Sequence, residues 1–352
     1  MRVVAYYGRN DLREEEWPRP VPARGEVRVR IQSVCICGSD ITQYTTGAIG
    51  DVPTPVPFVL GHEAAGIIDE CGDGVTGLPQ GTPVAIDPNM PCGRCEWCVR
   101  GKANLCPYVK FLGSAPVHGA LAEFVVLPAQ NVIPVRARIT FAEMACIEPL
   151  AIGIYVVRKL SVGAGDTVAI FGAGGIGQVC LLAARASGAR VIAVTDKIAS
   201  RLALAKQLGA EHVINIQDKD APQEIMQLTG KRGVDVAIEA AGAPPALRDA
   251  VLSAAIGGRV AIAGIPHEAS WELPASASRR RELLIHNIRR SCHTTHAAVD
   301  WVERGVVSLA PLVSHRLPWE KAEQAFELAA TRAEGTLRIS LEPEEPREPF
   351  YP

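Results

Sequence analysis

Residues 167–196 read TVAIFGAGGIGQVCLLAARASGARVIAVTD. Thr167–Phe171 is a short apolar run bounded by glycine, which predicts a buried strand. Gly172-Ala-Gly174-Gly175-Ile176-Gly177 fits G-x-G-x-x-G and opens the helical run Val179–Ser187. In that motif the first glycine permits the tight turn, the second lets a pyrophosphate approach the backbone, and the third lets helix and strand pack closely. Phosphate oxygens then meet free N–H groups at the positive end of the helix. Arg190–Thr195 is a second strand, and Asp196 follows it, nineteen residues after Gly177. A carboxylate at that distance suits the adenosine ribose hydroxyls of a dinucleotide. It would also repel a 2′-phosphate, so NAD is expected rather than NADP. Arg201 is expected on the helix surface or flanking the adenine pocket.

Outward from this stretch the alternation continues. A helix is predicted over Arg201–Leu208, and strands over Val213–Ile216, Val234–Glu239 and Arg259–Ala263. Strands alternating with helices build βαβ units and a parallel sheet, so the fold class is α/β. The first 130 residues differ, being rich in Pro, Gly and Val, with short apolar runs at Val27–Ile31, Ala65–Ile68 and Val84–Ile86. These predict a small barrel-like β domain. After about residue 288 the regularity fades, and a helix over Trp319–Ala330 and a strand over Thr336–Ser340 close the fold. The Pro- and Glu-rich tail EPEEPREPFYP is expected to be loosely held.

The chain has 352 residues, enough for two domains. A net charge of −2 offers nothing to a polyanion, so no nucleic-acid partner is expected. The most apolar stretch, Val168–Ala184, carries four glycines and Gln178, unlike a bilayer-spanning helix. The N-terminus MRVVAYYGRN lacks an apolar secretory core, so a cytoplasmic location is expected. Ten cysteines in such a chain read as metal ligands rather than disulfides. Cys92, Cys95, Cys98 and Cys106 are spaced C-x₂-C-x₂-C-x₇-C, which lets four thiolates converge on one Zn²⁺ at about 2.3 Å. Such a closed site is structural.

A second ligand set is built differently. Cys37-Gly38-Ser39-Asp40 and Gly61-His62-Glu63 lie in the β-rich half, and Glu148-Pro149-Leu150 at the domain junction. Cys, His and Glu with a fourth position open describe a catalytic zinc site, where the metal is a Lewis acid for a substrate oxygen. At these residues the chain resembles the zinc-dependent medium-chain alcohol dehydrogenases, in their sorbitol dehydrogenase-like polyol branch. The resemblance is carried by CGSD at 37–40, GHE at 61–63, the four-cysteine loop, FLGSAPVHGALAEF at 111–124, IEPLAIG at 147–153, GAGGIG at 172–177, and RRRE with IRR at 279–290.

The resemblance implies a discontinuous GroES-like catalytic domain over 1–150 and 289–352, with a Rossmann NAD domain over 151–288. It implies two zinc ions per chain and NAD, with Cys37, His62, Glu63 and Glu148 as the catalytic zinc set. Either glutamate would be the direct third ligand. Ser39 would take the proton of the substrate hydroxyl, Glu63 and Glu148 would share the catalytic work, and Asp40 would aim His62. Phe111 and Arg290 would meet the substrate, and Gly172–Gly177, Asp196 and Arg201 the coenzyme. The implied reaction is NAD-dependent oxidation of a secondary hydroxyl of a sugar alcohol to a ketose. The alternatives are a butanediol-type alcohol, a sugar or threonine as substrate, or a non-catalytic nucleotide-binding relative. A homo-oligomer, dimer or tetramer, is implied, with Arg259–Ile265 as a possible edge-pairing strand.

Departures from the branch bear on substrate. Thr42 and Gln43 stand where histidine and tyrosine are usual, Ser114 and His118 where threonine and aspartate are commoner, and Ser291 where a tyrosine is expected. Several residues are expected to be bland. These are Cys146 on a helix face, His293 and His296 after Cys292, the remaining histidines at 212, 267, 286 and 315, and the solvated run Arg279–Arg281.

Overall fold

A computed structural model describes residues 1–343 except 267 and 269. His267 and most of the acidic tail therefore lie outside the described residues. The chain divides into two compact units, Met1–Glu148 with the chain from Thr295 onward, and Pro149–Thr294.

The second unit is built on six parallel strands. Their order across the sheet is His212–Asn215, Val191–Asp196, Thr167–Phe171, Val234–Glu239, Ala254–Ile262 and Leu284–Asn287. All five residues of Thr167–Phe171 are buried, as a central parallel strand covered on both faces requires. Helices Gly175–Ala186, Ala199–Gln207, Ala221–Leu228 and Pro244–Ser253 connect successive strands. Asp220 caps the third of these by accepting from the Gln223 N–H at 2.8 Å, with a proline in the first turn. Ala169, Phe171, Ile214, Ile225, Val234 and Val260 share one core cluster. The chain leaves Thr167–Phe171 toward one edge and later returns to place Val234–Glu239 on its other side. This is the doubly wound Rossmann arrangement, whose ligand crevice opens at the C-terminal strand ends at that switch point.

The first unit is β-rich. Its ten-residue strand Glu26–Cys35 pairs with Glu63–Cys71 along one side. On the other side its first half meets Phe124–Pro128, and its last residues meet Arg338–Glu342. The C-terminal strand is thereby stitched beside Cys35, two residues before Cys37. Ile31, Leu60, Ile68, Leu121, Leu127, Tyr44 and Phe326 are among the core side chains that hold the sheet over its helices. Fully burying one such side chain contributes about 1.5–3 kcal/mol.

Two expectations are corrected here. Arg259–Ile262 is not an edge, because it pairs with Val234–Glu239 on one side and Leu284–Asn287 on the other. The outer strand is Leu284–Asn287, with Leu284 57% exposed. Nor is the arginine run wholly solvated. Arg279 and Arg280 are exposed, but Arg281 Nη1 donates to the carbonyls of Leu252 and Ala254 at 2.7 and 2.8 Å, satisfying groups at a helix end. Among the described residues no helix is long and apolar enough to cross a membrane.

Candidate active site

The first unit brings Cys37, His62 and Glu63 together, with one ligand atom from each lying within 4.8 Å of the others. Cys37 is the residue before helix Gly38–Thr46, in extended backbone. Asp40, in the first turn of that helix and 0% exposed, accepts from the Cys37 N–H at 2.9 Å and the Gly61 N–H at 3.2 Å. It thereby joins the two chain segments that carry the thiol and the imidazole. Its Oδ1 lies 3.5 Å from Nδ1 of His62. Burial pushes the imidazole toward its neutral form, and the Asp40 carboxylate and Cys37 sulfur outweigh it, holding the ring's pKa well above the ordinary histidine value. A carboxylate behind an imidazole fixes which nitrogen faces forward. The donor set, one sulfur, one nitrogen and one oxygen, fits a zinc ion with a position left open.

Glu63 begins its strand directly opposite Cys35. Both of its carboxylate oxygens accept from Nη1 of Arg338 on the C-terminal strand, and the two side chains are almost wholly buried. Sequence reasoning passed over Arg338. Its only local signal is the alternation of Leu337-Arg338-Ile339-Ser340-Leu341, which sets arginine and serine on the face opposite the apolar residues. Glu148 lies in the first turn of helix Ile147–Lys159 and is outside the tight group. Burial pushes its carboxyl up to about 8, with the Glu63 charge adding to the rise and His62 opposing it. The Phe111 ring packs 5.2 Å from the His62 ring, and Ser39 sits half-buried beside Cys37.

The second group is Cys92, Cys95, Cys98 and Cys106, again with sulfurs within 4.8 Å of one another. The Cys92 N–H donates to Cys106 Sγ at 3.4 Å, and the Cys95 and Cys98 sulfurs are 3.4 Å apart. Backbone N–H groups, first that of Arg94, bring the Cys92 thiol down to about 6. Desolvation and the neighbouring sulfurs push Cys98 up to about 12. Four thiols so close cannot all lose their protons without a cation, and that is the chemistry of a thiolate zinc site.

In the second unit the glycine loop leads into helix Gly175–Ala186. Gly172 has φ 107°, and a Cβ on Gly177 would lie 1.8 Å from the Gly172 carbonyl, so neither position accepts another residue. Asp196 ends its strand and accepts from the Ala173 N–H at 2.7 Å and the Ile198 N–H at 2.9 Å, which fixes its carboxylate beside the loop. Arg201 sits above the same loop, its Nη1 3.6 Å from where a Cβ on Gly174 would be. Arg290, half-buried in the same unit, has a left-handed backbone (φ 57°).

Three of the residues that depart from the polyol pattern, Thr42, Gln43 and His118, make contacts within the fold. Gln43 is buried, donating to the Gly113 carbonyl at 3.4 Å and accepting from Thr54 at 3.2 Å, while the Thr42 hydroxyl donates to the Gly38 carbonyl. His118 lies against the rings of Trp17 and Phe58 and accepts from the Val59 N–H at 3.3 Å. Cys146 is fully buried, its sulfur 3.8 Å from that of Cys35. His293 and His296 are exposed, and among the described residues neither joins a metal-type group.

Comparison with known proteins agrees with this geometry. Residues 23–137 match the alcohol dehydrogenase GroES-like domain, and residues 175–304 match the zinc-binding dehydrogenase domain. Sorbitol dehydrogenase of Bacillus subtilis is 36% identical, with 97% of each chain covered. Human sorbitol dehydrogenase is 39% identical over 92% of this chain and 91% of its own. The crystal structure of an Escherichia coli oxidoreductase of unknown specificity superposes with a TM-score of 0.93 at 29% identity, covering 98% of this chain and all of that one. With two metal-type clusters, a dinucleotide loop and both domains matched in chain order, this chain belongs to the zinc-dependent medium-chain alcohol dehydrogenases, of the sorbitol dehydrogenase type.

Proposed function

We propose that this chain is an NAD-dependent polyol dehydrogenase that oxidises a secondary hydroxyl of a sugar alcohol to the ketose. The observation that carries the reading is the Cys37, His62 and Glu63 group in a chain that also holds a G-x-G-x-x-G loop closed by an acidic residue. Bound zinc supplies Lewis acidity, and bound NAD accepts the hydride. In this reading Cys37 and His62 hold the zinc, with Glu63 or Glu148 as third protein ligand, and Asp40 aims the imidazole. Ser39 Oγ receives the proton of the substrate hydroxyl and passes it to water, and Phe111 excludes water beside His62. Arg290 donates to hydroxyls further along the polyol. Backbone N–H groups of Gly174, Gly175, Ile176 and Gly177 take the pyrophosphate. Asp196 takes the ribose hydroxyls and disfavours a 2′-phosphate, with Arg201 flanking the adenosine. The four-cysteine loop holds a second, structural zinc.

The domain assignment goes with this reading, as a catalytic unit over 1–150 and 289–352 and a coenzyme unit over 151–288. A cytoplasmic homo-oligomer, dimer or tetramer, goes with it as well. The test is NADH formation by the zinc-loaded protein over a panel of sugar alcohols, 2,3-butanediol and threonine, each repeated with NADP⁺. Turnover confined to sugar alcohols with NAD⁺ is expected. Turnover of butanediol or threonine alone would overturn the substrate, and silence throughout would favour a nucleotide-binding relative.

A further inference from the structure

One fully buried carboxylate has no part in the site described above. Glu239 ends the strand Val234–Glu239 at the C-terminal edge of the parallel sheet and is 0% exposed. Its Oε1 accepts from the N–H groups of Ala241 and Gly242 at 2.7 and 2.6 Å, and its Oε2 accepts from the Gly264 N–H at 3.2 Å. Its own carbonyl accepts from the Ala263 N–H at 2.8 Å. One residue thus ties the loop after its own strand to the loop after the next strand, Ala254–Ile262.

A third loop leans on these two. The Ala240 N–H donates to the Phe171 carbonyl at 2.8 Å, and a Cβ on Gly172 would lie 2.8 Å from the Ala241 nitrogen. On the far side, a Cβ on Gly242 would lie 2.2 Å from the Ile265 carbonyl. The glycine turn, residues 240–242 and residues 263–265 therefore stand backbone against backbone across the switch point of the sheet, where an open α/β sheet takes its nucleotide.

The hydrogen bonds reaching the Glu239 carboxylate come from N–H donors, which suits an ionised group that can only accept. Burial lifts its pKa above the ordinary range, and the N–H groups of Ala241, Gly242, Ala243 and Gly264 pull against that rise. Burying a charge is costly unless it is well hydrogen-bonded, so packing alone would be served better by an apolar side chain. We propose that Glu239 is a positioning residue for the coenzyme, fixing the 240–242 and 263–265 loops in the arrangement that braces the glycine turn and shapes the nucleotide crevice. The proposal rests on the reading that this crevice binds NAD.

The test substitutes Glu239→Gln in the zinc-loaded enzyme. The amide oxygen can still accept from Ala241 and Gly242, but the amide nitrogen then meets the Gly264 N–H donor to donor. The outer loop so loses its side-chain anchor and keeps only the bonds from the Ala263 and Gly264 N–H groups to the residue-239 carbonyl, at 2.8 and 3.1 Å. The expected result is an NADH dissociation constant raised about tenfold by nicotinamide fluorescence, a change of about 1.4 kcal/mol. KM for NAD⁺ should rise in parallel, while KM for the polyol stays within about twofold. Faster amide hydrogen exchange over 240–242 and 263–265 should accompany it in coenzyme-free protein. Glu239→Asp keeps the charge and shortens its reach, and should weaken NADH binding by only about threefold, which also serves if the glutamine variant does not fold. Ile225→Val, in the core away from the crevice, controls for general destabilisation and should leave NADH affinity unchanged. If wild type fails to bind NADH, the coenzyme reading is at fault. If wild type binds and both Glu239 variants bind equally well, whatever their melting temperatures, the positioning role is overturned.

Discussion

Replacing Arg338 by methionine should expose how much of the first unit's stability depends on countercharge at Glu63. Arg338 and Glu63 keep 4% and 1% of their side-chain surface exposed, so water does little to screen either. Removing one partner of a buried ion pair strands the other charge and costs about 3–5 kcal/mol. For a unit of this size each kcal/mol moves the melting temperature by about 2–4 °C, so R338M should lower the metal-free transition by at least about 6 °C. Glu63 also belongs to the Cys37 and His62 group, so a bound zinc ion would provide countercharge at the same carboxylate. The loss should therefore shrink by more than half when zinc is added back, and E63Q/R338M should recover most of it without metal. The assay is thermal unfolding by circular dichroism of wild type, R338M, E63Q and the double variant, with chelator and with zinc. A metal-free R338M within about 2 °C of wild type would refute the reasoning, since less than about 1 kcal/mol would then hang on the pair.

Three further outcomes follow from the geometry. Cys92→Ser removes one of four converging sulfurs and should lower bound zinc from two ions per chain to one by metal analysis, with the catalytic-site metal retained. Asp196→Ala removes the proposed ribose ligand and the acceptor of the Ala173 N–H at 2.7 Å. KM for NAD⁺ should rise at least about tenfold and the preference over NADP⁺ should narrow, read by steady-state kinetics with both coenzymes. His118 keeps an exposed edge, yet desolvation lowers its pKa in the folded chain, and the Val59 N–H also favours the neutral ring. A group with a depressed folded pKa binds fewer protons when folded, so its contribution is intact above the ordinary histidine value of about 6.5 and declines as pH falls below it. Denaturant midpoints measured from pH 8 to 5 should fall less steeply for His118→Gln than for wild type.

The sequence alone determined what depends on neighbours along the chain. The strand, turn and helix over 167–196 follow from periodicity and from a glycine turn in which Gly172 and Gly177 accept no other residue, and the four-cysteine loop closes within fifteen positions. It also singled out Cys37, His62, Glu63 and Glu148, because each sits in a short motif, CGSD, GHE or EPL, that carries the family resemblance, while the structure gathers only the first three into one tight group. Tertiary structure decided the rest. Arg338 lies 275 positions from Glu63, and they meet only because the last strand pairs beside Cys35. Arg259–Ile262 looks like an edge until Leu284–Asn287 pairs with it. His118 stands in a motif position suited to substrate contact and instead meets Trp17, 101 residues earlier, edge to face. Glu239 reads as an ordinary strand end until two loops turn their N–H groups onto it. Local motifs are legible because they constrain backbone geometry within one contiguous segment. Charge compensation and donor satisfaction are settled by groups that meet only after the sheets have assembled, and one sequence read alone carries no record of those meetings.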